Sequence, residues 1–249
     1  MELRDKVALV TGGTMGLGAA MAVDLARHGA HVVISARHHG AEADRVLASI
    51  RELGRRAEFV GADCGVPADC TRCVEETVAK FGHLDVLILN AGSPSPGKID
   101  EVTAEQWLQT MNVHVNAIFF MVKAALPSLR RQTEGAVITV SSAAGIRGVP
   151  GAIAYATAKG AVAQFTRALA RDLADDNIRV NCIAPGVIRT RFHDDMTPER
   201  KKINLEQRIP LHREGTAEQV AQAVRLLLTN DYITGEILVI DGGLTMRIA

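Results

Sequence analysis

The sequence lacks any excess of charge and any long apolar run. Its 28 lysine and arginine residues balance 28 aspartate and glutamate residues, so charge does not favour a nucleic-acid or membrane partner. No apolar run approaches the length of a membrane span, and the charged N-terminus, Met1 to Lys6, does not resemble a signal peptide. We therefore expect a cytoplasmic protein with neither a nucleic-acid nor a membrane partner.

Cysteines and clustered metal ligands are also scarce. The four cysteines, Cys64, Cys70, Cys73 and Cys182, form no recognisable disulfide framework in a chain of 249 residues. Cys70 and Cys73 have C-x-x-C spacing, but the second pair that a zinc site would need is missing. The eight histidines are scattered and form no H-E-x-x-H motif. These observations predict that the protein has no metal site.

The chain alternates short apolar segments with amphipathic ones. We predict strands at 6–11, 31–36, 57–61, 84–89, 136–140, 178–183 and 237–240. One helix is predicted to follow the first strand and to end at residue 28. Five further helices are predicted at 41–53, 67–81, 104–126, 153–173 and 217–228. This alternation predicts an α/β fold, a doubly wound parallel sheet with helices on both faces. No linker or repeat divides residues 1–249, so a single domain is expected, with 187–213 as its least regular region.

A glycine cluster follows the first predicted strand and precedes a helix. Gly12, Gly16 and Gly18 have G-x-x-x-G-x-G spacing. Without Cβ atoms the backbone can approach a pyrophosphate closely, and free N–H groups at a helix N-terminus attract its charge. The strand, turn and helix in this order indicate a dinucleotide-binding turn.

Arg37 lies directly after the second predicted strand. Enzymes that use NAD usually carry an acidic residue here to bind the ribose 2′-hydroxyl, whereas an arginine suits a 2′-phosphate. No carboxylate is present at this strand end, so we expect NADP(H) and regard NAD(H) as the less favoured cofactor. The alternative is that Arg37 is a solvated loop charge.

Tyr155 and Lys159 lie one turn apart on the predicted helix 153–173. An ammonium group close to a phenol favours the phenolate and lowers the pKa of the tyrosine. A tyrosine that exchanges its proton near neutral pH can act as a general acid or base. The pair therefore predicts proton-transfer chemistry.

Together these motifs resemble those of the short-chain dehydrogenase/reductase family over essentially the whole chain. Overall the pattern looks nearest to the 3-oxoacyl carrier-protein reductases. The resemblance implies a seven-stranded Rossmann sheet and hydride transfer between a nicotinamide and a carbonyl or secondary alcohol. The matching residues are Thr11-Gly12-x-x-x-Gly16-x-Gly18, Asn90-Ala91-Gly92, Ser142, Tyr155-x-x-x-Lys159, Pro185-Gly186 and Asp241-Gly242-Gly243.

The resemblance also implies roles for individual residues. Tyr155 would exchange the proton, Lys159 would hold the nicotinamide ribose and depress the tyrosine pKa, and Ser142 would bind the substrate oxygen. The residues expected to bind the cofactor are Gly12, Thr14, Met15, Gly16, Leu17, Arg37, Asp63, Cys64, Asn90, Ala91, Gly92, Tyr155, Lys159, Pro185, Gly186, Ile188 and Thr190.

His114 departs from the family pattern, because it stands where relatives carry the asparagine of a proton relay. An imidazole can also hold a relay water, so we include His114 among the catalytic residues and expect activity with an altered pH dependence. The alternative for this residue is a packed histidine with no role in proton transfer. The presence of His114 in place of the asparagine is also the one feature that favours a different function, a weakly catalytic NADP(H)-binding sensor or structural subunit.

A second departure concerns the substrate. Thr133 and Asp176 stand where carrier-protein reductases carry arginines that dock an acidic carrier, and Glu134 and Asp175 are adjacent. Acidic side chains would repel such a partner, so a free small ketone or alcohol is preferred over a 3-oxoacyl thioester. Region 187–213 is expected to cover the substrate. Relatives pair through the long helix and the Tyr155 helix, which implies a homotetramer, or else a homodimer.

Overall fold

The computed structural model describes residues 1–193 and 196–246, in which seven parallel strands form one sheet. In spatial order the strands are β3, β2, β1, β4, β5, β6 and β7. Ligands bind in such sheets where the strand order reverses, here between β1 and β4. The predicted Rossmann-type sheet is confirmed. The strands are β1 Val7–Thr11, β2 His31–Ala36, β3 Ala57–Gly61, β4 Val86–Leu89, β5 Gly135–Val140, β6 Ile178–Pro185 and β7 Ile237–Ile240.

Helices cover both faces of the sheet. Buried side chains of α1, α2 and α8 form one core, and those of α3, α5 and α6 form the other. Ala8 and Val10 of β1 belong to the first core and Val7 and Leu9 to the second, which is why this strand is apolar from Val7 to Val10. The helices are α1 Gly16–Arg27, α2 Ala41–Glu52, α3 Pro67–Phe81, α4 Ala104–Met111, α5 Ala117–Leu129, α6 Ile153–Leu173, α7 Pro198–Ile203 and α8 Ala217–Thr229.

The predicted helix 104–126 is interrupted and longer than expected. A π-helical turn, Asn112–Asn116, separates α4 from α5, and α5 continues past Pro127 to Leu129. Pro127 is tolerated because it is exposed, so the carbonyl left without an amide partner can reach water. Turns of this kind are frequent at functional sites, since they redirect a side chain within a continuous helix. Here the turn contains His114.

Region 187–213 is more regular than its sequence indicates. It contains a 3-10 turn, Arg191–His193, then α7 and a second π-helical turn, Asn204–Arg208. Thr197 caps α7 by accepting a hydrogen bond from the Arg200 N–H at 3.2 Å. Residues 194 and 195 lie outside the described part of the chain. Within residues 1–193 and 196–246, no helix is both long and apolar enough to cross a membrane.

Candidate active site

The predicted site residues gather at the carboxyl edge of the sheet. Each cofactor residue named above lies at the end of a strand, in the connection that follows it, or at the start of the next helix. Ser142 follows β5, and Tyr155 and Lys159 lie in the first two turns of α6. His114 comes to the same edge, because its ring centroid is 5.4 Å from that of Tyr155.

The glycine-rich turn is joined to the end of β4 by side-chain hydrogen bonds. The Thr11 hydroxyl accepts the N–H groups of Asn90 at 2.9 Å and Ala91 at 3.0 Å. In return the Asn90 amide donates to the Thr11 carbonyl at 2.9 Å. These bonds hold together the two strands at which the order reverses. The Thr11 hydroxyl was not predicted to have this role, since its sequence context shows only the end of a strand.

The turn has the shape that a pyrophosphate requires. Gly12 and Gly16 have φ values of +62° and +54°, a left-handed conformation that favours glycine. A Cβ atom on Gly18 would lie 2.1 Å from the Gly12 carbonyl oxygen. Met15 precedes α1 and no side chain caps that helix, which leaves its first N–H groups available to an anion. The cradle therefore fits a dinucleotide.

The ends of β2 and β3 form the neighbouring part of the edge. Arg37 is exposed and makes no hydrogen bond or ion pair within the described residues. His39 stacks on Phe59 with ring centroids 4.6 Å apart. The Asp63 carboxylate accepts the Gly65 N–H at 2.8 Å and so shapes the turn after β3. Cys64, also predicted to bind the cofactor, is buried.

Lys159 is almost completely buried beside Tyr155. Its ammonium group donates to the Val140 carbonyl at 2.7 Å and lies 5.6 Å from the centroid of the Tyr155 ring. Burial disfavours the charged form and lowers the pKa of Lys159 to about 8. Most of the lysine is still protonated at neutral pH.

The pKa of Tyr155 is shifted in the direction opposite to the one predicted. Burial of the hydroxyl raises it, and a hydrogen bond with the Ser142 side chain opposes the increase only in part. Lys159 does not counteract the burial, because its ammonium donates to Val140 and lies over the ring. The expected lowering by Lys159 is therefore absent in this arrangement of the side chains.

A short turn after β5 presents Ser142 to the start of α6. A Cβ atom on Gly145 would lie 2.6 Å from the carbonyl carbon of Lys159, so the turn packs directly on the helix backbone. Next to it, the Ser141 hydroxyl donates to the Lys159 carbonyl at 2.7 Å. This packing keeps Ser142 and Tyr155 together. The role of Gly145 was not recognised from the sequence, because the contact joins two different elements and a local pattern does not show how they pack.

His114 is a buried histidine with one ring nitrogen unpaired. Only 2% of the residue is exposed, and Nε2 lies 3.1 Å from the Ser93 carbonyl oxygen. Nδ1 has no partner in the part of the chain that the structure describes. Burial, with a smaller effect of the Lys159 charge, lowers the pKa of His114 to about 3. The ring is therefore neutral. Its Nε2 faces both backbone groups of Ser93, because the Ser93 N–H also lies 3.4 Å from it, so either ring nitrogen can carry the proton.

His114 lines a small cavity. Its volume is about 10 Å³, and Thr11 and Lys159 are among the other residues that line it. A cavity of this size is close to the minimum that holds one water molecule. His114 also packs on the turn after β4, since a Cβ atom on Gly92 would lie 2.5 Å from Cε1 of its ring.

The segment after β6 runs from the glycine-rich turn to Tyr155. Ile188 is buried and forms a bridge with Gly215, and Thr190 lies 3.5 Å from where a Cβ atom of Gly16 would be. Two residues later, the Phe192 ring centroid is 6.0 Å from that of Tyr155. Phe192 was missed from the sequence, because nothing in an irregular, charged segment marks one aromatic residue as part of a site.

Comparisons with known proteins agree with this geometry. A family model described as enoyl-(acyl carrier protein) reductase matches residues 12–245. Human dehydrogenase/reductase SDR family member 4 is 37% identical over 250 residues, covering 99% of this chain and 90% of the relative. The 3-oxoacyl-(acyl-carrier-protein) reductase of Synechocystis sp. is 35% identical over 247 residues, covering 98% of each protein.

A similar solved structure extends the match to three dimensions. It is a short chain dehydrogenase from Burkholderia cenocepacia in complex with NADP, with a TM-score of 0.90 and 34% identity, covering 98% of this chain and 99% of that one. The chain therefore belongs to the short-chain dehydrogenase/reductase family, and it is a nicotinamide-dependent oxidoreductase that acts on CH–OH or C=O groups.

Proposed function

We propose that the protein is an NADP(H)-dependent oxidoreductase in which Tyr155 is the general acid and base for a carbonyl or secondary alcohol. The observation that supports this most is the meeting of Tyr155, Ser142 and Lys159 beside a glycine-rich turn at the switch point of the sheet. In the direction of reduction, Tyr155 gives its proton to the substrate oxygen. Ser142 donates a hydrogen bond to the same oxygen and stabilises its developing negative charge.

The nucleotide is held by the turn and by the strand ends around it. Gly12 to Leu17 and the N-terminus of α1 bind the pyrophosphate, and Arg37 binds the 2′-phosphate. Asn90, Ile188 and Thr190 lie towards the nicotinamide end of this edge. When bound, the nicotinamide supplies or accepts the hydride. The NADP bound to the Burkholderia relative supports this choice of cofactor.

Lys159 and His114 support the proton transfer. When Tyr155 loses its proton, the buried ammonium of Lys159 turns from the Val140 carbonyl towards the phenolate and stabilises it. His114 lines a small cavity together with Lys159, and there its unpaired Nδ1 orients a water molecule. Because the pKa of His114 is about 3, it does this as a neutral ring and is not itself the acid.

A change at Tyr155 tests the central step. Tyr155→Phe keeps the ring and removes the proton, so kcat for ketone reduction should fall by about 10³-fold, while the Kd for NADPH changes little. Turnover is followed by the absorbance of the reduced nicotinamide across a panel of aliphatic and aromatic ketones. The control is Tyr232→Phe, which changes the chain's only other tyrosine, a residue 98% exposed.

Two results would contradict the proposed chemistry. Near-normal turnover by Tyr155→Phe would show that the proton comes from elsewhere. Binding of NADPH by the wild type without turnover on any ketone or alcohol of the panel would favour a sensor or structural subunit instead.

The cofactor preference is tested separately at Arg37. Removing its charge-assisted contact to a 2′-phosphate by Arg37→Gln should raise the Kd for NADPH about tenfold, because such a bond contributes roughly 1.5 kcal/mol or more. The Kd for NADH should not change. Both values come from quenching of protein or nucleotide fluorescence. Arg27→Gln removes a charge from the far end of α1 as the control, and tighter binding of NADH than NADPH by the wild type would refute the assignment.

Reduction of a 3-oxoacyl thioester remains a second candidate, favoured by one observation. Asp176, expected to repel an acidic carrier, is paired with Arg130 at 2.8 Å, so its charge is largely cancelled. The name of the Synechocystis relative points the same way. A kcat/KM at least tenfold higher for an acetoacetyl thioester than for free ketones would establish this candidate over the first.

We further propose that residues 1–249 act as one domain in which 187–213 covers the substrate, and that the protein works as a cytoplasmic homotetramer. Contact of Thr190 with the glycine-rich turn and of Phe192 with Tyr155 supports the covering role. An aromatic ring at that place favours substrates with an apolar substituent next to the reacting carbon.

A further inference from the structure

An ion pair connects the segment after β6 to the start of α2. Arg191 Nη1 lies 3.3 Å from Glu42 Oε1, although 149 residues separate the two in the chain. The preceding residue, Thr190, lies close to Gly16. The segment therefore passes over the glycine-rich turn before Arg191 reaches α2.

Glu42 lies close in sequence to the expected 2′-phosphate site. It is in the first turn of α2, five residues after Arg37. The end of β2 adjoins the glycine-rich turn, because the Gly13 N–H donates to the Ser35 carbonyl at 3.1 Å. A carboxylate here would repel a 2′-phosphate, whereas it could accept a hydrogen bond from a ribose 2′-hydroxyl.

The charges around Glu42 identify Arg191 as its main partner. A hydrogen bond from its own backbone N–H and another from Arg191 hold the pKa of Glu42 below its usual value, so the carboxylate is ionised at neutral pH. The next cation, Arg45, is 4.0 Å from the same oxygen. The other acid of this turn, Asp44, is paired with His39 at 3.0 Å.

We propose that Arg191 determines cofactor specificity by cancelling the negative charge of Glu42, five residues after Arg37, so that this edge of the site accepts a 2′-phosphate. The inference rests on the proposed function, since it requires the dinucleotide to lie on the glycine-rich turn. Arg191 acts through Glu42 and is in this sense a positioning residue. Its effect on affinity is electrostatic and applies to NADPH but not to NADH. The effect weakens as the salt concentration rises, because the ion pair between Arg191 and Glu42 is exposed.

Binding measurements on charge variants test the proposal without requiring turnover. The Kd values for NADPH and NADH are measured by fluorescence at low and high salt for the wild type, Arg191→Gln, Arg191→Lys, Glu42→Gln and the double variant Glu42→Gln/Arg191→Gln. Arg189→Gln is the control, because it removes a neighbouring arginine whose partner is Glu214.

Arg191→Gln should raise the Kd for NADPH by about three- to fivefold and leave that for NADH unchanged. Arg191→Lys and Arg189→Gln should bind like the wild type. The double variant should recover most of the NADPH affinity, because the carboxylate that needed cancelling is gone.

The proposal is overturned if Arg191→Gln weakens the binding of NADPH and NADH equally. It is also overturned if the double variant, which lacks Glu42 as well, does not recover the affinity for NADPH. A loss of NADH affinity in Glu42→Gln alone would instead make Glu42 a ligand of the ribose. If the wild type binds NADPH and no variant differs from it, only this inference fails. If the wild type binds neither nucleotide, the proposed function fails as well.

Discussion

His114 shows how strongly position in the fold controls the chemistry of one residue. An exposed histidine has a pKa near 6.5 and can gain a proton just below neutrality. Here burial and the nearby Lys159 charge lower that pKa to about 3. The altered pH dependence expected for this site therefore should not come from titration of His114 near neutrality.

The same shift predicts a stability that depends on pH. Between about pH 6.5 and pH 3 the unfolded chain binds a proton at His114 that the folded protein does not, so stability falls as the pH is lowered through this window. Two pH units below 6.5, the effect should be about 3 kcal/mol. His114→Asn should remove it, measured by urea unfolding at a series of pH values.

The control is His38→Asn, which removes an exposed histidine and should leave the pH dependence of stability like that of the wild type. A wild type and a His114→Asn variant whose stabilities fell in parallel below pH 6.5 would show that the buried ring is protonated in the folded state.

Among the elements, the contact between α6 and the turn after β5 matters most for the site. Ser142 comes from the turn, and Tyr155 and Lys159 come from the helix, so their separation depends on how closely the two elements pack. Gly145 sets that distance, because its Cα faces the backbone of Lys159. Backbone cannot move aside as the end of a flexible side chain can.

Gly145→Ala should therefore displace the turn from the helix. We expect about 1–3 kcal/mol of destabilisation and a fall in kcat of about 10²-fold from misplaced catalytic groups, with the Kd for NADPH little affected. Gly148→Ala is the matched control, since a Cβ atom there meets nothing within 4 Å. Equal kinetics for the two variants would contradict the role of this contact.

On the scale of the whole molecule, apolar side chains remain exposed along α4 and α5. Leu108 and Phe119 are 59% and 47% exposed, and they lie on the long helical segment that the family resemblance leads us to expect at a subunit contact. Exposed apolar groups near one another often mark an interaction surface. On α6, the other helix expected at such a contact, Ala163 and Ala170 are buried within the chain itself.

We predict that light scattering gives about four times the chain mass of 26.6 kDa, and that Phe119→Asp lowers it, because a buried charge would destabilise the interface. Leu53→Asp, at the end of α2, is the control and should leave the mass unchanged. A monomeric wild type at working concentration would refute the assembly.

Much of this molecule follows from local pattern alone. A strand with consecutive apolar residues, such as Val7 to Val10 of β1, has to be buried on both faces, and repetition of such strands between helices leads to a parallel sheet. Glycine spacing after β1 and the one-turn separation of Tyr155 and Lys159 are also local, so the sequence was sufficient to predict where the glycine-rich turn and this pair of side chains would lie.

Tertiary structure decided what those groups experience. The direction of the Lys159 ammonium, the neutral state of His114, the close contact at Gly145 and the pairing of Arg191 with Glu42 each depend on atoms from another part of the chain. Burial and charge act over a few ångströms in space, whatever the separation in sequence. A local pattern does not contain those distances, and for this reason only the folded structure determined the electrostatics of the site.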